Sequence, residues 1–234
     1  MNDGRQNREM FNNIAPHYDF LNHLLSLNID RTWRRTTAKE VAATRPDTIL
    51  DIATGTADLA IVMAERIGCA TITGIDTAEN MLTIGLEKTA KHKLSDRIKL
   101  TLGDALDMPF ADNSFDAATC AFGVRNFSDT QKGLEEMFRV LSHDGTAFIL
   151  EFSLPQKAPF KQTYNLYFNK ILPKIGKLFS KDEAAYDFLP QSVNAFPTPD
   201  MFAEMLKKAG FATIRQKKMS LGIATLHIAT KESD

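Results

Sequence analysis

Three carboxylates sit where a nucleoside ligand could use them. The run Thr48 to Ala53 carries Asp51 and leads into Thr54-Gly55-Thr56-Ala57-Asp58; Asp76 follows Thr71 to Ile75; Gly103-Asp104-Ala105 follows Ile98 to Leu102. A small-residue turn between strand and helix lets a ligand approach the backbone, and the free N–H groups of the helix start favour a carboxylate or phosphate. A carboxylate closing the second strand can accept from both ribose hydroxyls. Asp104, after the third, can accept from an adenine amino group, with Leu106 or Met108 over the ring. The expected binding set is therefore Asp51, Gly55, Thr56, Asp76, Asp104 and Ala105. Gly55 is the only glycine of the first turn. A G-x-G-x-x-G turn that admits a pyrophosphate is missing, so S-adenosylmethionine fits better than a nicotinamide dinucleotide.

The elements that must position these groups alternate. Short apolar runs at 48–53, 71–75, 98–102, 116–121 and 146–150 read as buried strands. Helical spacing separates them: Leu59, Val62, Met63 and Ile67, and then Leu134, Met137, Phe138 and Leu141 behind a Ser128–Gln131 capping box. This alternation implies a parallel sheet with helices on both faces. Toward the end, Thr198 as N-cap, Pro199, a stripe of Met201, Phe202, Met205, Leu206 and Ala209, and Gly210 as stop define another helix. Phe211 to Met219 and Ile223 to Thr230, joined by Ser220-Leu221-Gly222, must pair antiparallel. Residues 5–45 read as a helical cap, and 155–197 as a mostly helical insertion over the substrate site, within one domain spanning 1–234.

Composition excludes several classes. With 234 residues, 44% of them hydrophobic, and a formal net charge of −1, the chain suits one core and offers no basic field for nucleic acid. Cys69 and Cys120 are too few for a disulfide framework and lack metal-ligand spacing, so no metal is expected and both read as small buried residues. No apolar leader opens the chain and no run is long enough to span a bilayer, which gives a cytoplasmic expectation.

Longer motifs narrow the reading. Tyr18-Asp19-Phe20-Leu21-Asn22 with Arg31-Thr32-Trp33-Arg34, Phe122-Gly123-Val124-Arg125-Asn126, and Arg139-Val140-Leu141 with Leu150-Glu151-Phe152-Ser153 resemble the ubiquinone/menaquinone biosynthesis C-methyltransferases. So do Ala185 to Pro190 and Ser192-Val193 in the insertion. Departures are Leu21, Asp30, Ala121, and the alanines Ala53 and Ala57 where glycine is usual. The resemblance implies a class I S-adenosylmethionine-dependent methyltransferase fold, a Rossmann-like seven-stranded sheet with an antiparallel C-terminal hairpin. It implies C-methylation of demethylmenaquinol to menaquinol, with Asn194 to Pro197 closer to the menaquinone branch. The alternatives are the benzoquinol precursor of ubiquinone, another small hydrophobic acceptor, and a non-enzymatic binder on the same fold.

The resemblance also points to Arg125, Asn126 and Tyr18 as catalytic candidates. Arginine stays protonated, so Arg125 stabilises a phenolate or orders a water, and Asn126 holds that water or a quinol oxygen. His17 is a further base candidate, read first as structural; Trp33 reads as a core anchor, and Asp58 and Glu151 as structural. A prenylated quinol implies transient contact with the inner face of the cell membrane. Over 161–181 apolar residues recur near helical spacing with lysines among them, which suits an anionic interface, but the segment is read first as a helical lid over the pocket; both can hold. A homodimer is a further expectation.

Overall fold

The computed structural model describes residues 4–26, 28–155 and 190–232. Two helices come first, α1 (Gly4–Leu25) and α2 (Ile29–Ala43), where the sequence places the helical cap. The alternating core follows as β1 (Thr48–Ile52), α3 (Asp58–Arg66), β2 (Thr71–Asp76), α4 (Glu79–Lys91), β3 (Ile98–Leu102), β4 (Phe115–Ala121), α5 (Thr130–Val140) and β5 (Leu141–Phe152). It ends in α6 (Pro199–Lys208), β6 (Thr213–Met219) and β7 (Ala224–Thr230). The seven strands lie in the order β3-β2-β1-β4-β5-β7-β6. All neighbours pair in parallel except β7, which is antiparallel to both β5 and β6. This is the class I methyltransferase arrangement expected above.

Strand alternation sorts the core into two layers. Ile49 faces Trp33, Val41, Leu59 and Met63 of the α2–α3 layer, while Leu50 and Ile52 face Leu134, Met137, Phe202 and Leu206 of the α5–α6 layer. Each such side chain, fully buried, contributes roughly 1.5–3 kcal/mol. Strand order reverses between β1 and β4, so a crevice opens beyond their C-terminal ends.

Local details correct several expectations. β1 ends at Ile52 because Ala53 already turns, with φ +52°. β5 starts at Leu141, which pairs with Phe115 ahead of an irregularity in register. Asp129, not Ser128, caps α5, accepting from Lys132 N at 3.0 Å. Thr198 does cap α6, but Met201 points outward at 60% exposure. Cys120 is buried as expected, whereas Cys69 is exposed. The insertion falls largely outside the described residues, as do the 161–181 lysines and the 185–189 motif.

Candidate active site

The loop after β1 is backbone-strained. Ala53, Gly55 and Ala57 have φ of +52°, +56° and +65°. A left-handed conformation costs an alanine roughly 1–2 kcal/mol, which explains why glycine is usual at two of these positions. The strain is held by Thr54 N to Ile75 O at 3.0 Å and Ala57 N to Thr54 O at 3.0 Å. Gly55 N also donates to Asp76 Oδ2 at 2.9 Å, so the loop is tied to the end of β2.

Asp76 accepts a second backbone bond from Ala78 N at 2.9 Å. One bond on each carboxylate oxygen leaves lone pairs for a ligand's hydroxyls. Burial raises its pKa against the N–H groups of Ala78, Gly55 and Thr77. Asp76, Gly55, Asp104, Ala105 and Leu106 line one cleft of about 310 Å³ with Asn126 and Tyr18. Asp104 is fixed by a turn in which its Oδ1 accepts from Leu106 N at 2.9 Å. Met108 is not over this cleft. It is 3% exposed inside the α5–α6 core, and Arg139 and Glu136 bond its backbone. Met81 of α4 lines the cleft beside Leu106 and escaped sequence reasoning, because its spacing serves the core equally well.

A narrower polar recess adjoins the cleft and shares Tyr18, Ala53, Gly55 and Ala121 with it. Asp51 and Thr56 lie here. Asp51 takes hydroxyl bonds from Thr119 at 2.5 Å and Thr54 at 2.6 Å, yet burial still pushes its carboxyl up to about 6. Thr56 Oγ1 donates to Asp19 of α1 at 2.5 Å and accepts from Lys88 of α4 at 3.1 Å. Lys88 also pairs with Asp19 at 2.6 Å and Asp58 at 2.5 Å. Asp58 therefore anchors a charge cluster rather than capping α3.

α1 crosses the cleft as a strap. Asn7 donates to Asn126 O at 3.0 Å at one rim, and Asn12 bonds Asn80 at 2.9 and 3.1 Å at the other. Tyr18 projects from α1 into both cavities. Burial raises its phenol, opposed mainly by the Arg125 charge and a bond with Asn22. The phenol therefore stays protonated at neutral pH. His17 is exposed on the same helix.

The turn after β4 supplies the other candidates. Asn126 lines the cleft, and its buried Oδ1 has no hydrogen-bond partner among the described residues. Arg125 is not among the lining residues; its Nη1 pairs with Glu151 at 3.0 Å, and its guanidinium lies over Phe152 at 5.4 Å. Trp33 is buried as a core anchor, donating to Ser220 at 2.9 Å.

Residues 1–231 match the model described as the ubiE/COQ5 methyltransferase family. The chain is 44% identical over 233 residues to a demethylmenaquinone methyltransferase of Bacteroides fragilis, covering 98% of this chain and 95% of that one. It is 46% identical over 228 residues to a demethylmenaquinone methyltransferase of Deinococcus radiodurans, covering 97% and 93%. A ubiquinone/menaquinone biosynthesis C-methyltransferase of Geotalea daltonii is 45% identical over 229 residues, covering 97% of each. Among solved structures, the [4+2]-cyclase SpnF superposes with a TM-score of 0.72 at 16% identity, covering 99% and 97%. An S-adenosylmethionine-dependent methyltransferase from Aquifex aeolicus gives 0.59 at 19%, covering 83% and 89%. At such identities these two likenesses speak for the fold alone.

Proposed function

The chain belongs to the ubiE/COQ5 methyltransferase family, and on that premise we propose that it methylates a ring carbon of demethylmenaquinol, using S-adenosylmethionine, to give menaquinol. The observation that carries this reading is the near-full-length identity to demethylmenaquinone methyltransferases. The cleft fits the methyl donor: its volume falls at the lower end of ligand pockets, roughly 300–1,000 Å³, and Asp76 keeps acceptor capacity where a ribose would lie. Asp104, Ala105 and Leu106 suit the adenine, and Gly55, Thr56 and Asp51 the amino-acid end, with the Asp51 carboxylate facing an ammonium.

The donor supplies an electrophilic methyl on a sulfonium. The chain must make the acceptor carbon nucleophilic and hold it in line. Loss of a hydroxyl proton from the quinol makes the adjacent ring carbon electron-rich. That carbon takes the methyl as the carbon–sulfur bond breaks, leaving S-adenosylhomocysteine, and its own proton then departs to restore the aromatic ring. Asn126 Oδ1, buried and open to a donor, accepts from the quinol hydroxyl or an ordered water. Tyr18 donates to a quinol oxygen, and the Arg125 charge stabilises the phenolate. The sequence-based picture of a helical cap and an insertion enclosing the acceptor belongs to this proposal, supported by α1 lining the cleft. So do a cytoplasmic enzyme meeting the membrane surface, supported by the lipid character of the substrate, and a homodimer. Among the described residues no helix is long and apolar enough to cross a membrane.

The relatives' names include both quinones at similar identity, so the benzoquinol precursor is the second reading. Parallel assays with labelled S-adenosylmethionine and each reduced quinol test the choice. Label in the naphthoquinol at the higher kcat/KM is expected; preference for the benzoquinol would replace the substrate while leaving the reaction.

A further inference from the structure

Glu151, at the end of β5, is a buried carboxylate beside the turn that carries Arg125 and Asn126. It takes three donors: Arg125 N at 3.2 Å, Arg125 Nη1 at 3.0 Å and Phe152 N at 3.1 Å. The same Nη1 donates to Phe122 O at 2.5 Å, and Nε lies 3.4 Å from Ser192 Oγ. The Arg125 side chain is 7% exposed and that of Glu151 1%. A buried ion pair is weak grounds for stability, because apolar residues of similar volume often do as well. What this pair does secure is geometry. One carboxylate grips both ends of Arg125, its peptide N–H and its guanidinium, and thereby sets the turn from Phe122 to Asn126 whose Gly123 and Asn126 line the cleft.

We propose that Glu151 is a positioning residue for methyl transfer, acting through Arg125. It fixes the guanidinium at one distance from the acceptor and balances its charge. An unbalanced guanidinium free to move would hold the phenolate tightly and drain electron density from the attacking carbon. A balanced, fixed one favours proton loss without quenching the nucleophile. This rests on the role given to Arg125 above.

The test measures kcat with reduced demethylmenaquinol, KM for the quinol and S-adenosylhomocysteine affinity in Glu151→Gln, Arg125→Lys and the double variant. Misplacing a group by an ångström can cost about a hundredfold, so Glu151→Gln is expected to lose roughly ten- to a hundredfold in kcat. Quinol KM and homocysteine-product affinity should hold within about twofold, and the double variant should match Arg125→Lys within about twofold. A merely structural defect would weaken product affinity as well. Wild-type kcat in Glu151→Gln beside a slow Arg125→Lys, or losses that multiply in the double variant, would overturn the inference alone. Wild-type kcat in Arg125→Lys would overturn the Arg125 reading and this inference with it. If Glu151→Gln fails to bind S-adenosylhomocysteine, Glu151→Asp, charged but one methylene shorter, carries the test. Lost kcat with affinity intact is then expected, and wild-type kcat would contradict the proposal.

Discussion

Burial sets what the ionisable side chains around the cleft can do. Asp51 has its carboxyl pushed up from 3.8 to about 6 by desolvation, which outweighs the Thr119 and Thr54 hydroxyls. A raised carboxyl contributes stability that is fully present below its unfolded pKa and is lost as pH rises through about 6. A bound ammonium would favour the ionised form. Calorimetry at pH 5.5 and 8 should therefore find S-adenosylhomocysteine bound more tightly at the higher pH, with the difference reduced in Asp51→Asn. An undiminished difference in that variant would take Asp51 out of the binding set. For Tyr18, whose phenol burial raises, Tyr18→Phe should lower kcat while leaving the acidic limb of the pH–rate profile in place; a displaced limb would make the phenol a base. Asp76 and Asp104 were legible in the sequence because strand ends fix where they point. The grip of Glu151 on Arg125 was not, since it joins residues 26 positions apart that only strand pairing brings together.

At the scale of elements, the α1 strap is held by charge. Lys88 joins α4 to Asp19 of α1 and Asp58 of α3, with all three side chains between 22% and 28% exposed. Lys88→Met removes the ammonium that Asp19 and Asp58 share, leaving Asp58 with the more distant Arg34 at 3.9 Å. The expected cost is about 1–3 kcal/mol, below that of a fully buried pair because solvent screens these groups. Faster release of S-adenosylhomocysteine in stopped flow should accompany it; unchanged release would separate the strap from cofactor retention. The β1 loop carries the opposite opportunity. Ala53→Gly relieves a left-handed alanine and should raise thermal stability by up to about 1 kcal/mol, whereas a fall in Tm would deny the strain. Helix periodicity announced α3, α5 and α6, and the Thr198 cap announced where α6 begins. Which face of α1 meets the cleft was hidden, because Phe11, Ile14 and Tyr18 satisfy helical spacing whether they cover a core or a ligand.

For the whole molecule, the parallel core and the antiparallel pairing of β6 with β7 were readable from alternation and one tight turn, because parallel neighbours need crossover helices and a three-residue link does not allow one; the order of the strands was not, since neither signal says which strands are neighbours. His227 on β7 was not singled out, since a strand pattern does not say which polar residue is enclosed. It packs edge-on against Phe202 at 4.8 Å, with Nδ1 unpartnered among the described residues, and burial lowers its pKa from 6.5 to about 4. Its contribution to stability is present above pH 6.5 and is lost as pH falls toward 4, the opposite sense to Asp51. His227→Gln should shrink the drop in Tm between pH 7 and pH 5; an equal drop would place the acid sensitivity elsewhere. The roles given to Arg125, Asn126 and Tyr18 require that the cleft join a methyl donor to a quinol. The most direct measurement incubates the enzyme with methyl-labelled S-adenosylmethionine and demethylmenaquinol, reduced or oxidised, and locates the label by mass spectrometry. Label on the ring carbon of the reduced substrate only, with one S-adenosylhomocysteine per methyl, is the expected result. Label on oxygen, equal labelling of the oxidised quinone, or no transfer despite cofactor binding would contradict it.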